Sequence, residues 1–147
     1  WPVVKSAEGK FTVRFPGPVD DSVEEVETDL GKVARHTFSC STGNALWQLT
    51  YTDLPKQMMV AKSLILDLAF EGARMSEKDL LFAESNGSLR GAPWKRFRVQ
   101  PQAGPVVSSF VLVNDARLYH LQVVSPPDRF RRVGTSQFFE SFAIDQS

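Results

Sequence analysis

The sequence predicts an α+β domain, an α/β/α sandwich around a central, mainly antiparallel sheet, with two main helices over about 57–72 and 127–142. Three observations predict it. Short segments of period-two alternation are separated by turn residues along most of the chain, one segment switches to a helical period, and strands come in runs rather than alternating strictly with helices. With 147 residues, 42% hydrophobic and 23% charged, the chain has the make-up of an ordinary folded domain, and residues 1–147 read as a single one. At this length folding removes roughly 68–70% of the accessible surface of the unfolded chain, so one core holds it without covalent staples.

Phe11, Val13 and Phe15 alternate with Thr12 and Arg14 and end in Phe15-Pro16-Gly17-Pro18, which predicts a half-buried strand over 11–15. Residues 23–30, 32–40 and 45–53 come next, divided by Leu30-Gly31 and by Ser41-Thr42-Gly43-Asn44, a spacing that predicts a three-stranded antiparallel meander. In the third of these, Ala45, Trp47, Leu49 and Tyr51 share one face and Leu46, Gln48, Thr50 and Thr52 the other, as in a sheet packed on one side. Over 57–72 the period becomes helical. Met58, Met59, Ala61, Ile65, Leu66, Leu68 and Ala69 make a wide apolar face after Asp53-Leu54-Pro55 has ended the strand. Residues 79–85 fit either type, whereas 88–90, 94–100, 106–113 and 117–124 read extended, punctuated by Gly91-Ala92-Pro93, by 101–105 and by Asn114-Asp115. Ser125-Pro126-Pro127-Asp128 reads as the entry to the closing helix, with Ser125 or Asp128 as cap. Along it Phe130, Val133, Phe138, Phe139 and Phe142 turn to the core, and Gly134-Thr135 marks a kink.

Several functions are excluded by what the chain lacks. Lys and Arg number 17, Asp and Glu 17, so no long-range field favours nucleic acid, and no nucleic-acid partner is expected. The single cysteine, Cys40, rules out an intrachain disulfide and a zinc site built on several cysteines. The longest apolar stretch, 58–70, is broken by Lys62, Ser63 and Asp67 and falls short of the ~20 residues of a membrane helix. No glycine-rich phosphate loop, Gly-x-Ser-x-Gly turn or His-Glu-x-x-His helix is present; Gly87-Ser88-Leu89-Arg90-Gly91 reads as a turn. No cofactor, metal ligand or catalytic residue is therefore assigned. The chain opens at Trp1 with neither an initiator Met nor an apolar leader core, so a longer product, processed or trimmed ahead of this point, is expected.

His36 and Cys40 are the types that make an activated thiolate pair, but four residues along a strand separate them by ~13 Å. They are read as a core face shared with Ala34 and Phe38. His120 lies on the strand face of Leu118 and Gln122, opposite Tyr119 and Leu121, and is read as hydrogen-bonded and structural. The charge is uneven along the chain: Asp20, Asp21, Glu24, Glu25, Glu27 and Asp29 fall together, and most arginines come later. Trp94, Arg96 and Arg98 alternate with Lys95, Phe97 and Val99, which sets an indole and two guanidiniums on one face. With Arg131 and Arg132 they form the expected binding surface, since Trp and Arg anchor interfaces.

Four stretches span nearly the whole chain in order: Phe11-Thr12-Val13-Arg14-Phe15-Pro16-Gly17-Pro18, Tyr51-Thr52-Asp53-Leu54-Pro55, Leu118-Tyr119-His120-Leu121-Gln122-Val123 and Phe138-Phe139-Glu140-Ser141-Phe142. On them the sequence resembles the PsbP-like fold group, which includes the photosystem II extrinsic protein PsbP, the bacterial lipoprotein DcrB and a small Ran-binding nuclear import factor. Within the group it is similar above all to uncharacterised bacterial proteins. The resemblance implies an α/β/α sandwich, a binding or assembly role rather than catalysis, and export, in some members as a lipoprotein. The expectation is a non-enzymatic protein- or ligand-binding module, the soluble part of an exported bacterial protein of the periplasm or cell envelope. Its partner is another protein, and a lipid anchor upstream of Trp1 fits the same picture. Two alternatives stay open: a small hydrolase or transferase with His120 as base and Asp53 or Asp67 as its partner, and a cytoplasmic chaperone or immunity-type protein gripping a hydrophobic segment beside the first helix.

Overall fold

The period-two segments form strands that pair into two antiparallel sheets. The computed structural model describes residues 1–28, 31–43, 45–54, 80–100, 104–127 and 134–145. In chain order the elements are β1 (Val3–Ser6), β2 (Phe11–Arg14), β3 (Asp20–Thr28), β4 (Gly31–Thr42), β5 (Ala45–Asp53), β6 (Leu80–Leu89), β7 (Ala92–Gln100), β8 (Val106–Asn114), β9 (Arg117–Ser125), the helix α1 (Thr135–Ser141) and β10 (Ala143–Ile144). The large sheet has the order β3-β4-β5-β9-β8-β7-β6 and the small one β1-β2-β10. Hairpins build the large sheet, including the expected meander β3-β4-β5. The β6–β7 hairpin closes on Arg90 (φ 51°) and Gly91 (φ 84°), two left-handed residues whose twist matches the strands they join.

The expected α/β/α sandwich with two main helices is overturned. Among the described residues strands dominate, in two antiparallel sheets, and the one helix has seven residues. The helix expected over 57–72 lies outside the described residues, as do Phe130 and Val133. Of the closing helix expected over 127–142, the described part begins only at Thr135. Gly134 stands at the N-cap of this described part in the left-handed region (φ 84°). Ser125, expected as a cap, is instead a buried strand residue of β9. Phe142 ends the helix with extended backbone (ψ 130°) and leads into β10. The aromatic run 138–142 is thus divided between a short helix and a strand entry. Residues 79–85, open to either type, lie in a strand from Leu80 onward.

Alternation decides the core. Trp47, Leu49 and Tyr51 of β5, Tyr119, Leu121 and Val123 of β9 and Leu112 of β8 point to one face, where they meet Phe11, Val13 and Phe15 with Phe138, Phe139, Phe142 and Ile144. The small sheet and α1 therefore cover the same side of the large sheet. Phe11 is fully buried, with its ring centroid 5.4 Å from Phe38, 5.8 Å from Tyr51, 6.2 Å from Tyr119 and 6.1 Å from Phe142. Gly9 makes this approach possible, because a Cβ there would fall 2.5 Å from the Phe11 ring and 2.9 Å from that of Tyr51. On the opposite face of the large sheet Phe97, Val99, Val111 and Val113 are also buried. Replacing Phe11 by Ala removes the ring that joins both sheets and is expected to cost about 3–5 kcal/mol, read as a lowered denaturant midpoint in equilibrium unfolding.

Candidate functional site

The expected binding surface starts from β7. Its register sets Trp94, Arg96 and Arg98 opposite Leu112, Phe110 and Ser108, on the face that carries α1. All three are half-buried, while Phe97 and Val99 are buried on the other face. The Trp94 indole stacks on Phe110 with centroids 5.4 Å apart. Gly87 on β6 leaves room for it, since a Cβ there would lie 2.9 Å from the ring. The Arg96 guanidinium sits 5.0 Å over the Phe139 ring and donates to Ser136 Oγ at 2.8 Å, tying β7 to α1. Arg131 and Arg132 lie outside the described residues, so the structure brings together three of the five.

The titratable groups weighed for chemistry are held in quiet states. His120 lies on the face of the large sheet opposite the aromatic core, across from Thr50 and Val111, beside a groove that Thr37, Gln48 and Gln122 also line. Its Nε2 lies 3.1 Å from the fully buried Ser109 hydroxyl, and burial lowers its pKa to about 4. Asp53, one candidate partner for His120, is engaged elsewhere, and Asp67 lies outside the described residues. Asp53 accepts from Arg117 Nε at 2.7 Å and Nη2 at 3.2 Å, a two-point pair that holds the guanidinium above its usual pKa. Arg117 Nη1 also donates to the Glu8 carbonyl at 2.9 Å, and the guanidinium lies 4.8 Å over the Tyr51 ring. Tyr119 Oη donates to the Gly9 carbonyl at 2.6 Å, so one end of the large sheet grips the β1–β2 turn at two points. Arg117 escaped sequence reasoning, because only the β5–β9 register shows that it faces Asp53.

His36 and Cys40 do not form one site. Cys40 is buried, as read, and desolvation pushes its thiol pKa up, away from the thiolate. His36 is only half-buried: its ring stacks on Tyr51 at 4.4 Å and 4°, and Nε2 lies 3.8 Å from the Glu8 carboxylate. Among the described residues no group of three or more His, Cys, Asp or Glu side chains is arranged to hold a metal ion. No described helix is long and apolar enough to cross a membrane.

Charge is sorted across the large sheet. The edge strand β3 carries Asp20, Asp21, Glu24, Glu25 and Glu27, and toward the other edge β7 and its turn carry Arg90, Lys95, Arg96 and Arg98. Glu24 pairs with Arg35 across the β3–β4 ladder, and Lys32 lies 4.0 Å from Glu25. These two pairs leave β3 acidic overall.

Two sheets joined through an aromatic layer, with a short helix beside the smaller one, define a PsbP-like fold. The chain is similar to the solution structure of cyanobacterial PsbP (CyanoP) from Synechocystis sp. PCC 6803, with a TM-score of 0.57 and 10% identity, covering 97% of this chain and 91% of that one. No family model and no curated protein matches the chain.

The His120 environment has a measurable signature. An unfolded His titrates near 6.5 and the folded one near 4, so the unfolded state binds the extra proton first. The stabilising effect of neutral burial is whole above pH 6.5 and is lost as the pH falls toward 4, by roughly 3 kcal/mol in total. Denaturant unfolding at steps from pH 7 to pH 4 is expected to show this slope in the parent and a flatter profile in His120→Gln.

Proposed function

We propose that the chain is a non-enzymatic binding module, a single PsbP-like domain that forms the soluble part of an exported bacterial protein and holds another protein. The observation that carries this reading is the PsbP-like fold over 97% of the chain. The characterised members of the group that the sequence resembles are binding or assembly proteins, and its four shared stretches resemble uncharacterised bacterial relatives in which export to the periplasm or envelope is common. Fold alone leaves function open, so the side chains matter. His120 is neutral and bonded to a buried serine, Cys40 is a buried thiol, and Asp53 is spent on Arg117. Each of these supports binding over turnover.

The contact surface in this reading is Trp94, Arg96 and Arg98 with Arg131 and Arg132. Half-buried aromatic and guanidinium groups lose little freedom on docking, and they are the residues that interfaces favour. The test is crosslinked capture from the source organism's extract by the parent and by two variants, Arg96→Glu/Arg98→Glu and Arg131→Glu/Arg132→Glu, each checked for an unchanged unfolding midpoint. A partner held by the parent and lost from at least one folded variant is the expected outcome. The same partner held by all three moves the contact off this surface, and a turnover abolished by His120→Gln replaces binding with catalysis.

A further inference from the structure

Among the described residues the small sheet leaves the β3 margin of the large sheet beneath it open. Phe142 beside β10 packs on Tyr119 of β9, and Phe139 of α1 packs on Phe110 of β8. β1 lies on the other side of β2 from β10, and so toward β4 and β3. Among the described residues no strand pairs with its outer edge. Beyond that edge no described residue covers the core-facing side of the large sheet. Asp21, Val23 and Glu25 of β3 stand in register with Phe38, His36 and Ala34 of β4, on the same face as Tyr51. Val23 is 62% exposed in a position where its counterparts on β5 and β9 are fully covered. A cleft of about 530 Å³ results, with Lys5, Ser6 and Glu8 along one side, Asp21 to Val23 along the other, and His36, Phe38 and Tyr51 as its floor.

We propose that this cleft takes an extended segment of a partner protein, which pairs with the open edge of β1 as a fourth strand of the small sheet and carries basic residues. Strand addition fits the unpaired backbone of β1, because main-chain hydrogen bonds supply affinity and alternate side chains supply selection. Residues of the added strand that point inward meet β3 at the same period of two. Along β3 that face reads acid, apolar, acid at Asp21, Val23 and Glu25, the last lying just past the cleft and 4.0 Å from Lys32, so the complementary segment reads base, apolar, base at every second position. Glu8 adds a further exposed carboxylate at the rim, and Lys5 is the one Lys or Arg among the lining residues. The Phe38 ring on the floor favours the same sign, since aromatic faces attract cations. This site goes beyond the β7 surface and stands or falls without it.

The probe is a capped seven-residue peptide, Thr-Lys-Thr-Val-Thr-Lys-Thr, with a counterpart carrying Glu in place of both lysines. Binding is followed by backbone amide shifts and by hydrogen exchange at the β1 amides that face away from β2. The expected result is that the lysine peptide binds and slows exchange along β1. Asp21→Lys/Glu25→Lys and, separately, the exposed change Val23→Lys weaken it at least tenfold, while Glu140→Lys on the exposed face of α1 leaves it unchanged. Equal binding of the glutamate peptide, unchanged β1 exchange on binding, equal weakening by Glu140→Lys, or no binding at millimolar peptide overturns the proposal. A parent that sediments as a dimer and becomes monomeric in Val23→Lys also overturns it, since a second copy then fills the cleft.

Discussion

The Phe11 ring, lodged among Phe38, Tyr51, Tyr119 and Phe142, decides which side of the large sheet the small sheet covers. β2 has only four residues and buries two of them, so its own hydrogen bonds are too few to hold the small sheet in place. Its anchor is area: a ring of this size removes its whole surface from water, and the large sheet supplies the apolar side chains that surround it. Polar contacts then fix the register at one end of this layer. Arg117 and Tyr119 bind the carbonyls of Glu8 and Gly9, and Asp145 N donates to the Lys10 carbonyl at 2.8 Å. Each acceptor lies in the turn that feeds Phe11 into its pocket.

This arrangement explains where surface remains for partners. The large sheet has seven strands and the small one three, so cover is complete over β5 and β9 and fails at the margins. At the β7 margin α1 reaches out through Phe139 and Ser136 to Arg96. At the β3 margin nothing comparable is described, and Val23 stays in water. The acidic residues of β3 fit an edge strand, because like charges there discourage pairing with another acidic copy while leaving basic segments welcome.

Much of the fold is legible from period alone. β5 and β9 alternate clearly, and the hairpins of the large sheet are local, so turn residues and strand faces can be read together. β1 and β10 cannot, since strands of four and two residues carry no period and exist only because β2 lies between them. Of the closing helix the described part starts at Thr135 after the left-handed Gly134, and Phe142, which keeps the helical spacing in sequence, already has extended backbone. For the site, alternation correctly places Trp94, Arg96 and Arg98 on one face but is silent on which layer lies above them. The Arg117–Asp53 pair and the Glu8–His36 contact are hidden for a different reason: they join segments far apart in the chain, and a register is needed to see them.

The small sheet joins segments that lie far apart along the sequence. β1 holds residues 3–6, β10 holds residues 143–144, and both pair with β2; Thr12 Oγ1 donates at 3.1 Å to Asp145, 133 positions away. Contacts of such separation are slow to form, because the loop they close must be ordered before any burial rewards it. During synthesis the β1–β2 pair is made before β10 and waits, its Phe11 side chain without a complete pocket, until Phe142 and Ile144 leave the ribosome. The last few residues of the small sheet therefore set the moment at which a nascent molecule stops exposing its aromatic layer, and a product truncated before β10 keeps that layer open to chaperones and proteases.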